Sequence, residues 1–228
     1  MWLIQSSIGR KLVMSLTGIS LVLFLLFHLS MNMAAVFSAD AYNMICSFLG
    51  ANWYAVVATV ILGALAFLHI TYSVILTIQN GRARGKDRYA VENRPKGVSW
   101  ASQNMFILGS VIGGFLVLHL FQFWHHMMFA ELIGYHDGLI GGSVVSTHDG
   151  YAFICYYFSR SEVVIAYLCW YVALWFHLTH GFWSALQSIG LSNQRWLHRW
   201  KIIGNIVTTI VMLGFVFVTI IFYVKTNC

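Results

Sequence analysis

The chain has 228 residues, of which 59% are hydrophobic and 9% charged, with a formal net charge of +6. Charged residues make up about a quarter of an ordinary soluble domain, so this composition excludes that class and points to a membrane protein. The positive residues stand in short clusters between apolar runs and not on one continuous basic face, which sets nucleic acid aside as a partner.

The first apolar run covers residues 12–36, after Arg10 and Lys11. The "SADA" at 38–41 resembles a signal-peptide cleavage site, but about 25 apolar residues exceed the roughly 7–15 of a signal core, so an uncleaved anchor is expected. The run carries His28, with Thr17 and Asn32 on the same face. A second run, 54–78, carries His69 with Tyr72 and Ser73 beside it. The basic loop 80–97 follows and holds Pro95, the single proline, so no helix is kinked by proline.

The third run, 105–129, carries His119 with Gln122 on its face, and His125 and His126 near its end. His136 and His148 lie in the long loop after it, and His198 in the last loop; solvated side chains are expected at all three. In the fourth run, 163–187, Trp170, Ala173, Leu174, His177, His180, Gly181 and Ser184 share one face by helical spacing. Ala173 and Gly181, a turn either side of His177, leave room for a flat ring. The fifth run, 202–224, has no histidine.

Each run approaches the ~20 residues a helix needs to cross a bilayer. The runs are continuous, without the alternation of barrel strands. The expected fold is therefore all-α, a single domain over 1–228 built as a bundle of five transmembrane helices. Arg10, Lys11, Arg82, Arg84, Lys86, Arg88, Arg94, Lys96, Arg195, Arg199 and Lys201 all fall on one side. Arg160 and Lys225 fall on the other, with most of the acids: Asp40, Glu131, Asp137, Asp149 and Glu162. The positive-inside rule then puts the N-terminus in the cytoplasm and the C-terminus outside.

Cys46, Cys155, Cys169 and Cys228 are scattered, with neither a C-x-x-C pair nor a C-x-x-C-H motif, which argues against a zinc module or a covalently attached haem. H-E-x-x-H, G-x-S-x-G and a phosphate-binding glycine loop are also missing, so no catalytic residue is assigned.

The histidines remain to be explained. One histidine inside a span is ordinarily a helix-bridging residue. Four on separate helices are a functional pattern, because ionisable side chains in a membrane need partners. At about 1.5 Å per residue, His28 and His119 both lie roughly 26–28 Å from the cytoplasmic ends of their helices. His69 and His177 lie only about 15–20 Å deep. Two imidazoles facing each other at one depth suit the axial positions of a haem b iron, and two layers suit two haems. Thr17, Asn32, Tyr72, Ser73 and Gln122 could hold the free imidazole N–H groups or the haem propionates. His180 competes with His177, since the two share a face. The stripes Phe24/Phe27 and Phe121/Phe123 read as packing or lipid contact.

The stretches "RKLVMSLTGISLVLFLLFHLSMN" (10–32), "LHITYSVI" (68–75), "LVLHLFQFW" (116–124) and "FHLTHGFWSALQSIG" (176–190) resemble the dihaem cytochrome b anchor of succinate dehydrogenases and fumarate reductases, in its single-subunit, five-helix form. The most specific element is H-x-x-x-G-x-W-S in the fourth run. The resemblance implies His28 and His119 as ligands of the distal haem, and His69 and His177 as ligands of the haem nearer the cytoplasm. It selects His177 over His180 because the family's ligand lies four residues before the glycine. His180, Asn32, Gln122, Ser73 and Arg10 become candidates for propionate, quinone or supporting contacts, with His125 and His126 near the quinone end.

The same resemblance implies partners: a flavoprotein and an iron–sulfur subunit on the cytoplasmic side, membrane lipid and a quinone, menaquinone being usual for the two-haem type. It leaves room for a dimeric complex in the inner membrane. Dicarboxylate chemistry would belong to the flavoprotein. Trp175 stands two residues before His177, where some members place a glutamate associated with proton movement, so a carboxylate relay on that helix is not expected. Two other classes keep a place: the cytochrome b subunit of a membrane hydrogenase or formate dehydrogenase, with a different set of ligand-bearing helices, and a proton- or metal-coupled transporter, with broken helices and intramembrane acids.

Overall fold

The computed structural model describes residues 6–84 and 99–227. Lys86, Arg88, Arg94, Pro95, Lys96 and Cys228 lie outside the described residues. In chain order the elements are α1 (Ser7–Phe37), α2 (Ala39–Phe48), α3 (Trp53–Arg84), α4 (Trp100–Gln103), α5 (Met105–His119), a π-helical stretch (Leu120–Phe129), α6 (Ala130–Leu132), β1 (Asp137–Ile140), β2 (Ser143–Ser146), α7 (Gly150–Phe158), α8 (Ser161–Ser188) and α9 (Gln194–Asn227). Five helical stretches are long and apolar enough to cross a membrane: α1, α3, α5 with its π-helical continuation and α6, α8 and α9. The chain is thus a multi-pass, predominantly helical membrane protein, as its apolar runs predict. The helices outrun those apolar stretches, most of all α9, which begins on the polar turn at Gln194.

Local chemistry sets the boundaries. Ser6 caps α1 by accepting from the Gly9 N–H at 2.9 Å. Ser38 both ends α1 and starts α2: its extended backbone breaks the helix, and its hydroxyl accepts from the Ala41 N–H at 3.2 Å. Two departures from the expected pattern stand out. The last ten residues of the third apolar run, Leu120–Phe129, are π-helical, a wider ladder that the apolar pattern alone does not distinguish from α. The His126 ring donates from Nδ1 to the Phe121 carbonyl at 2.7 Å within it.

The second departure is a small hairpin within the otherwise helical fold. β1 and β2 form an antiparallel hairpin, with Leu139 opposite Val144 and Ile140 opposite Ser143. Gly141 and Gly142 both have positive φ, 60° and 88°, the backbone that a two-residue type I′ turn requires.

The core lies where α8 and α9 meet. Val164, Tyr167, Trp170, Tyr171 and Leu174 pack on Val211, Met212, Phe215, Val218 and Phe222. Tyr171 and Thr219 share a 2.9 Å hydrogen bond between hydroxyls, and the Trp175 indole donates to Thr209 Oγ1 at 2.9 Å. Such interhelical bonds hold helices together where lipid removes most of the hydrophobic drive. α1 packs on α3, α8 and α9. α3 is the most peripheral span: 6% of its apolar window is buried within the chain, against 39% for α9.

At the hairpin end, α2 and α7 are stapled together. Asn43 donates to Asp149 Oδ1 at 2.8 Å and accepts from the Tyr151 N–H at 2.9 Å. Asp149 also caps α7 through the Ala152 N–H at 3.0 Å. Gly150 packs so closely on Cys46 that a β-carbon there would overlap the sulfur. Burial pushes the Cys46 thiol up to about 11.

Candidate functional site

The four span histidines come together in two pairs. His28 of α1 and His119 of α5 have ring centroids 5.8 Å apart with their planes at 90°. His69 of α3 and His177 of α8 have centroids 6.4 Å apart at 70°. The pairing by depth therefore matches the packing of the helices. The layers are well separated along the bundle. Thr17, which meets His69, and His28 are about 16 Å apart along the α1 axis; Gly109, whose face meets His177, and His119 are about 15 Å apart along α5.

One ring of each pair is hydrogen-bonded through Nδ1 to a buried hydroxyl. Tyr167 donates its hydroxyl proton to Gln122 Oε1 at 2.7 Å. Its oxygen can then only accept from His119 Nδ1, 3.1 Å away, which makes His119 the Nδ1–H tautomer with a lone pair on Nε2. Thr17 does the same for His69. Its hydroxyl lies 3.1 Å from His69 Nδ1 and within reach of the Val13 and Met14 carbonyls of its own helix, at 2.8 and 3.1 Å, and donating to either carbonyl leaves it an acceptor for an Nδ1–H. An imidazole whose Nδ1–H is held and whose Nε2 is bare is the form that binds a metal.

The other members differ. His177 keeps a buried Nδ1 without a hydrogen-bond partner among the described residues, and so does His180. His28 sits between Phe24, stacked at 5.3 Å, and Phe215 at 5.9 Å. Phe123 at 5.3 Å and Trp170 at 5.6 Å wall His119. Of the phenylalanines read as packing, Phe24 and Phe123 thus line the site, while Phe27 and Phe121 are exposed, as a lipid contact requires.

The remaining candidates scatter. Thr17, expected beside His28, serves His69 across the α1–α3 contact, because the two helices run in opposite directions and bring His69 to the level of Gly18. Asn32 donates to the His28 carbonyl at 2.8 Å and accepts from the Tyr42 hydroxyl at 3.3 Å, so it touches the backbone and not the ring. Tyr72 and Ser73 are half-buried and hydrogen-bond to no histidine. The Arg10 guanidinium donates to Gln79 Oε1, linking α1 to α3. His125 stacks between Phe121 at 5.2 Å and Phe129 at 5.5 Å on the exposed face of the π-helical stretch. His180 meets Trp183 at 5.0 Å, and Trp183 also carries Lys201 over its ring at 4.6 Å. Ala173 is packed against Ala101 and Leu108, so the space expected there is filled. Gly181 has open space where a side chain would begin.

Tyr167 is the residue that sequence reasoning misses. It lies ten residues before His177 on α8 and serves His119 of another helix; its only sequence signal is a tyrosine hydroxyl in an apolar run.

The ring separations, 5.8 and 6.4 Å, are of the size that two metal–imidazole bonds of about 2 Å each would span. Among the described residues no three His, Cys, Asp or Glu side chains gather as ligands for a bare ion. Two imidazoles per site suit a metal whose other positions a macrocycle fills.

Comparison with known proteins gives no identification: no protein-family model, no curated protein and no solved structure matches the chain.

Proposed function

We propose that the chain is a membrane-embedded dihaem cytochrome b, the anchor subunit of a succinate:quinone oxidoreductase or quinol:fumarate reductase. The observation that carries this reading is the pairing of four histidines from four helices into two layers, with one ring of each pair hydrogen-bonded through Nδ1 to a buried hydroxyl. The motif resemblance in all four histidine-bearing runs supplies the choice of complex.

His28 and His119 would hold one haem b, His69 and His177 the other. A haem b held by two imidazoles would supply a one-electron couple. The chain's own part is to bind and orient. Thr17 and Tyr167 would orient the ligand rings, and Phe24, Phe123, Trp170 and Phe215 line the His28/His119 layer with apolar surface. An iron–sulfur subunit would dock on the basic end, taken as cytoplasmic, and electrons would exchange with membrane quinone, in this family usually menaquinone. Gln122, Asn32 and His126 are already hydrogen-bonded within the chain, which leaves His125 the most accessible polar group of the four quinone candidates.

Haem extraction and a reduced-minus-oxidised spectrum of the purified chain test the proposal. Two b haems per chain are expected. A single haem would break the pairing, and a haem-free protein would favour the transporter class.

A further inference from the structure

We infer that Tyr167 and Thr17 are positioning residues that set the basicity of one ligand ring in each layer, and that Gln122 is the residue that makes Tyr167 an acceptor. The inference rests on the dihaem reading and adds to it a reason why the two layers need not have equal potentials.

Each hydroxyl has a closer acceptor than the imidazole for its single proton. Tyr167 is 2% exposed and donates to Gln122, itself 7% exposed. Thr17 is 3% exposed and donates to its own helix backbone. Both oxygens therefore accept from Nδ1–H. An imidazole that donates in this way gains electron density at Nε2 and binds an oxidised metal more strongly than an imidazole that does not. The Tyr167 acceptor is a phenol bonded to an amide in a closed aromatic pocket, ringed by Phe158 at 5.2 Å, Trp170 at 5.6 Å and Tyr171 at 6.1 Å. The Thr17 acceptor belongs to a helix turn. Among the described residues His177 Nδ1 has no hydrogen-bond partner and the His28 ring makes ring contacts alone, so the effect is carried by one ring per layer.

The variants are Tyr167→Phe, Thr17→Val and Thr17→Ser, each close to its parent in volume. Haem content, midpoint potentials from a spectroelectrochemical titration and the low-spin signals in electron paramagnetic resonance are read on the purified full chain. Tyr167→Phe is expected to keep two haems and to raise the potential of one, with a shift of one low-spin signal. Thr17→Val raises the potential of the other haem, and Thr17→Ser restores it. A merely space-filling role would move neither potential.

Unchanged potentials in both Tyr167→Phe and Thr17→Val, with two haems in the parent chain, overturn this inference and leave the cytochrome reading intact. A parent chain that holds no b haem overturns both. If Tyr167→Phe releases its haem outright, the threonine pair decides: a shift in Thr17→Val reversed in Thr17→Ser supports the inference, and no difference between them overturns it.

Discussion

His177 and His180 stand one helical turn apart on α8 and meet different surroundings. The His177 ring faces His69, whereas the His180 ring faces Trp183 near the end where Lys201 lies. His177→Ala is expected to cost the chain one haem, and His180→Ala to leave both in place, read as the haem-to-protein ratio of each variant. The reverse result would move the ligand by one turn. The four pairing histidines are legible in the sequence because each interrupts an apolar run at a depth that can be counted from the basic ends. Their partners are less legible. Thr17 lies on the face of His28 when α1 is considered alone, yet its hydroxyl meets His69 once α3 packs against α1. Tyr167 reaches His119 only because α5 and α8 are neighbours, and helix adjacency is not written in either helix's own periodicity.

At the scale of elements, α8 and α9 hold the bundle together by close approach. A β-carbon on Gly204 of α9 would come within 2.7 Å of the Phe182 ring, while one on Gly63 of α3 would meet nothing within 4 Å. Small residues at helix contacts allow this approach, and extra volume there forces the helices apart. Gly204→Ala should therefore destabilise the bundle by about 1–3 kcal/mol, whereas Gly63→Ala should change stability by about 0.5 kcal/mol or less. Denaturation of the two variants in detergent, side by side, would show the difference. The element types follow unequally from the sequence. Five long apolar runs dictate five spans. The π-helical stretch does not follow, since 120–129 has the composition of any apolar helix. The hairpin carried a readable sign in Gly141–Gly142 between short β-branched and apolar runs, a sign weak enough to be overlooked in a loop between two membrane spans.

For the whole molecule, the charge asymmetry predicts which end faces which compartment. Val144 on the hairpin is 72% exposed, and Leu191 in the turn before α9 is 58% exposed. With the native cysteines replaced, Val144→Cys should react with a membrane-impermeant maleimide added to the outer side of the intact membrane, and Leu191→Cys only after permeabilisation. The opposite pattern would invert the bundle. The two layers also bear on how this molecule can vary in length. Thr17 and His28 are separated by about three full turns of α1, so they point the same way although they serve different layers. α1 acts as a ruler with two marks in phase. One residue inserted between them would turn the second mark by about 100° and aim His28 away from His119 while leaving His69 undisturbed. Between the two layers α1 can therefore change length only by whole turns, matched by equal changes in the helices that carry its partners.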